Sequence, residues 1–597
     1  MSADITGHGA VGGTEKMLMA EAQLLSQTGR YGEALALFDR ILLQHSDHIE
    51  ALNGAGAAAW QGGDVGRALE YLDKAMCEHP NHPQAYLNLG VILEHHGRLD
   101  EAVNAYKAAL QANPNLMRAQ LNLGNALLGL GQNMDAVAAF DQALMTDPAN
   151  TDALNNKALA LKAAGQMDAA EICLQKAVDA NPQSEQSWTN LGLVLRLGGK
   201  PEEALQAYGQ AVKINPASIK AQNNLAVLHR WEGRLDEAET VCRSLLTAHP
   251  DVVEVLNNLG DILQAQGKIE EAQTAFERVL ALSPNHPEGH HNLAVLMLLK
   301  GDFENGWKHY EWRWLAKEFP SERRNFPQPL WTGEPLAGKT ILLYVEQGLG
   351  DALQFVRYAP LVHALGGTVI LECPPSLTRL FETVSDVAHV VSRGEELPVF
   401  DVQCPFLSLP GLLSPSSERI PAVVPYLGVS DADAQVWQNR LKDVGGLKVG
   451  LVWAGSPHHT NDRERSIALK NLAPLSDVQG CTFINLQIGS SAAQLHEVDW
   501  TIIDYTAHIS DYADTAALVG QLDLVITVDT SVAHVAGALN IPVWVLLPHA
   551  PDWRWQLKRS DTPWYPSMTL YRQPKRGDWL SVIARVKSDL RLREQKN

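Results

Sequence analysis

Small and bulky apolar positions recur on a strict 34-residue period through the first half of the chain. A glycine or alanine stands at Gly56, Gly90, Gly124, Ala158, Gly192, Ala226, Gly260 and Ala294. A second small residue recurs at Ala34, Ala68, Ala102, Ala136, Ala170, Ala204, Ala238 and Ala272. Four positions after each comes Phe38, Leu72, Tyr106, Phe140, Leu174, Tyr208, Cys242 or Phe276. Prolines at 80, 114, 148, 182, 216, 250 and 284 keep the same phase. The arrangement predicts two packed antiparallel helices per unit. The small residue of the first helix faces the alanine of the second, so the backbones approach, and the bulky residue fills the space beside them. Proline, which cannot continue a helix, ends the second one. A turn such as GRLDE (97–101) joins the pair. Eight full units start at 15, 49, 83, 117, 151, 185, 219 and 253, with a partial ninth from 287. Units that hold phase without an insertion stack into an all-α superhelical solenoid with a concave groove. It is expected over 15–316, after a disordered stretch at 1–14.

The period fades after residue 300. Trp307, Tyr310, Trp312 and Trp314 cluster there. Terminal repeats need an atypical face, so the cluster reads as a hydrophobic cap against the next domain, with a ligand stack as the alternative. Pro320, Pro327, Pro329 and Pro335 mark 317–338 as a linker. From 339 the pattern becomes α/β. Strands are predicted at 341–345, 368–373, 387–391 and 399–403, with helices at 351–365 and 376–384. After a proline-rich stretch (405–425), strands follow in 447–456, 483–489, 501–506, 522–531 and 542–547, with helices at 513–520 and 531–539. Apolar strands alternating with helices imply parallel sheets covered on both faces. The two runs predict two Rossmann-like domains, 339–430 and 431–597, the second ending in a helix. They would face each other across a cleft at their carboxyl strand edges.

Three segments carry candidate chemistry. Gly348-Leu349-Gly350-Asp351 ends a strand and opens a helix; glycines let a ligand approach backbone N–H groups, and Asp351 stands where a carboxylate either caps the helix or acts as a base. Asp529-Thr530-Ser531 leads into a helix carrying His534 one turn along. Hydroxyls and amides there suit phosphate; an N-cap followed by a surface histidine is the alternative. In HHTNDRERS (458–466), Arg463 and Arg465 can neutralise phosphate, or the loop is simply solvated. In the repeats, Asn88, Asn122, Asn156, Asn190, Asn224, Asn258 and Asn292 form a further column. It lies two residues before the small position, turned toward the inner wall. An asparagine amide can pair with both groups of a peptide bond, so the row could hold an extended polypeptide through its backbone. Capping of local backbone is the other reading.

The 34-residue columns resemble the tetratricopeptide repeat, and the asparagine row is similar to that of O-GlcNAc transferases. The segment DTSVAHVAGALNIPVWVLL (529–547) and the Gly348–Asp351 motif resemble GT-B glycosyltransferases of the bacterial heptosyltransferase family, over about 339–575. That resemblance implies a GT-B fold with a nucleotide-sugar held by the second domain. Asp529, Thr530, Ser531 and His534 would contact the donor, Gly348 and Gly350 would line it, and Arg463 or Arg465 would bind phosphate. Gln487 would lie near the ribose or base, and Asp351 would be the general base. Ser531 replaces a family glycine, and the first domain is short for the family. No metal is expected, because no DxD motif stands at a strand end; no cofactor is expected beyond the nucleotide-sugar. The whole chain looks like repeat-fused flagellin glycosyltransferases. Those transfer a nonulosonic acid such as pseudaminic acid from a CMP donor to serine or threonine of flagellin in the cytoplasm. A non-catalytic repeat adaptor and a lipopolysaccharide sugar transferase are the competing readings.

Composition narrows the partners. Formal charge is −20 over 597 residues; residues 1–300 hold 21 basic and 35 acidic residues. Neither half is basic, which argues against nucleic acid or an anionic membrane surface as partner. The six cysteines include no CxxC pair, against a disulfide framework or a zinc site. No signal peptide and no membrane-spanning run is visible, so a cytoplasmic, non-inserted protein is expected.

Overall fold

A computed structural model describes residues 8–596 except 318, 320, 322, 415, 417–419, 458 and 460; the side chains of 8–14 are outside the description. Two units divide the chain, Met1–Leu245 and Leu246–Asn597. The division therefore falls inside the repeats and not at the expected linker.

In the first unit helix pairs follow one another from His8–Gln27 with Tyr31–Gln44 to Ile219–Trp231 with Leu235–Ala248. Residues 1–7 of the stretch expected to be disordered lie outside the described residues, and the first helix already runs from His8. The packing corrects one detail. A Cβ built on Gly192 would stand 2.7 Å from the Tyr208 ring. The bulky residue thus lies directly on the glycine, where the alanine was expected. The sequence holds another column in the same phase: Gly29, Gly63, Gly97, Gly131, Gly165, Gly199 and Gly233 sit between the two helices of each pair with φ from +73° to +86°. Glycine alone tolerates that left-handed turn without strain.

The second unit begins with two more pairs, Val253–Ala265 with Ile269–Leu282 and Pro287–Lys300 with Phe303–Tyr310. The last pair shares a core with the α/β region: Phe303 and Trp307 pack with Phe355, Trp553 and Trp564. Trp307 and Tyr310 therefore act as the cap. Trp312 instead stacks on His290 at 4.0 Å.

Four parallel strands form the first sheet: β1 (Thr340–Tyr344), β2 (Thr368–Cys373), β3 (His389–Ser392) and β4 (Val402–Pro405), in the order β3-β2-β1-β4. Six form the second: β5 (Leu447–Val452), β6 (Cys481–Asn485), β7 (Ile502–Asp504), β8 (Leu524–Val528), β9 (Val543–Leu547) and β10 (Met568–Arg572), in the order β10-β9-β8-β5-β6-β7. Both orders reverse direction at the first strand of the run, which puts a crevice at the carboxyl ends of β1 and β4 and another at those of β5 and β8. The helix Trp579–Glu594 covers the second sheet through Val582, Ile583, Val586 and Leu590.

Two segments differ from expectation. Part of 317–338 is not a linker: Trp331 is buried, its backbone N–H donates to Gln403 O at 2.8 Å, and Gln403 N–H donates to Pro329 O at 3.1 Å. The stretch pairs with the free edge of β4, the place in a sheet where a proline's missing donor is tolerated. The helix expected over 351–365 is broken into Leu349–Phe355, a 3-10 turn Val356–Tyr358, and Ala359–Ala364. Pro360 opens the last piece, where its missing N–H costs nothing.

Candidate active site

The two glycine- and hydroxyl-bearing loops meet. Leu349–Phe355 starts just after β1, and Ser531–Ala538 just after β8. A Cβ on Gly350 would lie 3.1 Å from His534 Cδ2 and 3.9 Å from Ser531 Cα. The first turns of the two helices, one from each α/β lobe, are thus in contact, and a side chain larger than hydrogen at 350 would press on His534.

Asp351 serves as a cap and as an ion-pair partner at once. Its Oδ2 accepts from Gly348 N–H at 3.0 Å, and its Oδ1 accepts from Arg554 of the opposite lobe. Arg554 is buried, donates to Gln354 Oε1 at 2.6 Å and Asp552 Oδ1 at 2.8 Å, and is backed by the Trp553 ring at 4.2 Å. Burial raises the Asp351 pKa; Arg554 pulls it back, and Asp552 raises it further. Asp529 is pushed up to about 6, by burial first and by Asp552, against Arg465 and Arg554.

His534 is not a surface histidine. It is buried, pairs through Nδ1 with the Tyr565 hydroxyl at 2.9 Å and stacks on Trp555. Burial, with Arg554 and Arg357 nearby, holds it well below the usual histidine range, so it is neutral. Thr530 Oγ1 pairs with Thr527 Oγ1 at 3.0 Å and Ser531 Oγ with the Tyr512 hydroxyl at 2.6 Å.

The two arginines separate. Arg465 reaches the site and donates to Asp529 O at 3.1 Å, whereas Arg463 is exposed on the Asp462–Arg465 turn. Gly455 makes this possible, since a Cβ there would stand 2.5 Å from Arg465 Nη2. Residues 458 and 460 of the same loop lie outside the described residues. Gln487 is buried and its Oε1 accepts from Trp453 N–H at 3.1 Å and Ala454 N–H at 2.9 Å. It orders the exit of β5, and its Nε2 donates to Ile488 O at 3.1 Å.

In the first unit Asn88, Asn122, Asn156 and Asn224 are half-buried; in the second, Asn258 and Asn292 are too. Asn190 departs from the column: it is 1% exposed and donates to Asn155 Oδ1 at 2.9 Å, inside the protein. Among the described residues there is no group of three or more His, Cys, Asp or Glu placed to hold a metal ion, and no helix long and apolar enough to cross a membrane.

Sequence patterns do not single out Arg554, Asp552 or Tyr565. The available signal is Asp552-Trp553-Arg554-Trp555, a charged pair alternating with tryptophans in the loop that follows β9.

Residues 15–295 match the family model described as the cilia and flagella-associated protein 70 C-terminal domain. Protein FlbA of Caulobacter vibrioides is 30% identical over 315 residues, covering 48% of this chain and 52% of that protein. The match thus spans about half the length of that relative. Among solved structures, a tetratricopeptide repeat protein from Parabacteroides merdae is 22% identical, covering 42% of this chain and 98% of that one, with a TM-score of 0.37. YrrB, described as a TPR protein with an unusual peptide-binding site, is 23% identical, covering 31% and 95%, with a TM-score of 0.27. The N-terminal half of the chain is an all-helical, tetratricopeptide-like repeat region, and an α/β region with two parallel sheets follows it.

Proposed function

We propose that the chain is a protein O-glycosyltransferase of GT-B type, whose repeats bind flagellin and whose α/β lobes transfer a nonulosonic acid such as pseudaminic acid from a CMP donor. The observation that carries this reading is the meeting of the two lobes' first helical turns, with Asp351 on one side and Asp529, His534 and Arg465 on the other. The match to the flagella-associated domain model, and the relative named FlbA, support a flagellar setting. The half-buried asparagines support backbone recognition of a polypeptide.

In the transfer step an acceptor serine or threonine oxygen attacks the anomeric carbon, and the bond from that carbon to the phosphate oxygen breaks. Its electron pair stays on the nucleotide, and the hydroxyl proton passes to Asp351. Arg465 and the N–H groups at the start of the Ser531–Ala538 helix stabilise the departing phosphate. No metal takes part in this scheme. The enzyme acts in the cytoplasm, before flagellin is exported. Intact mass of flagellin from a strain lacking the chain should fall by whole sugar residues; an unchanged mass would sink the flagellin assignment.

The adaptor reading has one observation in its favour: Asp351 is already engaged by Gly348 and Arg554. A carboxylate needed only as a cap would look the same. Asp351→Ala separates the two, since an adaptor's clients would remain modified to the same extent.

A further inference from the structure

The cleft carries more negative than positive charge for a site that receives an anion. Among the described residues, four carboxylates, Asp351, Asp462, Asp529 and Asp552, stand with three guanidinium groups, Arg357, Arg465 and Arg554. An incoming nucleotide phosphate would meet net repulsion unless one of those arginines changes partner.

Arg554 is built for such a change. Its guanidinium has five N–H donors in a planar fork. Asp552 lies in the same loop, two residues away, and moves with it; Trp553 backs the plane at 4.2 Å. Asp351 belongs to the opposite lobe and accepts the outer nitrogen, Nη2. It is also held by Gly348 N–H, so it keeps a partner if the arginine leaves. The pair stands where Gly350 packs on Ser531 and His534, the residues read as donor contacts. The phosphate of a CMP-sugar is a diester with the same single negative charge as a carboxylate, and it presents two oxygens that fit the fork bidentately.

We infer that Arg554 exchanges partners during the reaction, holding Asp351 in the donor-free protein and passing to the donor phosphate when the nucleotide-sugar enters. This rests on the reading of the cleft as a nucleotide-sugar site. The exchange makes Asp351 available as a base only once a donor is present, which orders the reaction as donor first and acceptor second. It also makes Asp351 a competitor of the phosphate for the same arginine.

Competition gives an uncommon signature: removing the charge of the proposed base tightens nucleotide binding. Calorimetric titration of CMP, and of UDP as a second probe, into the full chain tests it. Asp351→Asn should bind the preferred nucleotide about tenfold more tightly than the parent, the size of one charge contact. Arg554→Gln should weaken binding, and on that background Asp351→Asn should give no gain. Arg554→Lys keeps the charge without the fork and should fall between; it replaces the Gln variant if thermal unfolding shows that one misfolded. The inference is overturned if the parent binds but Asp351→Asn binds equally or more weakly, or if its gain survives loss of Arg554. If neither nucleotide binds the parent or Asp351→Asn, the reading of the cleft itself fails, and the inference falls with it.

Discussion

Arg313 and Glu346 form an ion pair closed off from solvent, with side chains 0% and 1% exposed and 2.6 Å between Nη2 and Oε1. Arg313 follows the last helix pair of the repeats and Glu346 follows β1, so the ion pair ties the end of that helix pair to the loop that leads to Asp351. Glu311, Ser408 and the Tyr310 carbonyl also accept from the guanidinium, at 2.8, 2.9 and 3.3 Å. Glu346→Ala would leave the buried cation with only the half-exposed Glu311 as carboxylate partner, at a cost of up to about 3–5 kcal/mol. The urea midpoint of the variant should fall accordingly, while Arg313→Met combined with Glu346→Leu should recover most of the loss. Equal losses in both would show that the charges themselves are needed.

Gly192 and Gly209 lie in one helix pair and should respond oppositely to alanine. A Cβ at 192 meets the Tyr208 ring at 2.7 Å, whereas at 209 nothing lies within 4 Å. Gly192→Ala should cost about 1–3 kcal/mol by overpacking. Gly209→Ala should gain about 0.5–1 kcal/mol from helix propensity. Chemical denaturation of the two variants checks both signs.

Asp529 sets a pH dependence. Its folded pKa, about 6, lies above the unfolded value because burial and Asp552 disfavour its charge, with Arg465 and Arg554 opposing. The folded state therefore holds the proton more tightly. The stabilisation is full below the unfolded pKa and is lost as pH rises through about 6. It amounts to roughly 1.4 kcal/mol for every pH unit that separates the folded and unfolded values. Asp529→Asn should remove this slope. Thermal midpoints at about pH 4.5 and about pH 7.5, one on either side of the folded value, should show the variant gaining on the parent at the higher pH. A constant difference between the two proteins would show that Asp529 does not titrate there.

Gly455→Ala should act through Arg465. The added methyl occupies the space of the guanidinium, 2.5 Å from Nη2, and breaks the bond to Asp529 O. Nucleotide affinity should drop about tenfold with the loss of one charge contact. Unchanged affinity would remove Arg465 from the phosphate site.

The repeats are legible in the sequence because 34-residue columns fix which positions share a helix face. Columns do not say which atoms touch, so the ring of Tyr208 over Gly192 appears only in the structure. Most strands of both sheets are legible as apolar runs. The exception is β10 (Met568–Arg572), in which Thr569 and Arg572 leave only Leu570 and Tyr571 adjacent, so that it gives no such run. Prolines in 327–335 read as punctuation, yet Pro329 offers its carbonyl to the edge of β4. At the site, Gly350 and Asp351 can be picked out because local geometry demands them. Arg554 cannot, since it meets Asp351 from 203 residues away. Nor can spacing choose between Arg463 and Arg465; in the structure it is Arg465 that lies against Gly455 and reaches Asp529.

Sugar transfer to protein is tested most directly by intact-mass analysis of unmodified flagellin incubated with the purified chain and CMP-pseudaminic acid. Mass increments of whole pseudaminic acid residues on serine or threonine are expected, abolished in Asp351→Asn. No increment with the parent chain, or full increments with Asp351→Asn, would contradict the proposed transfer.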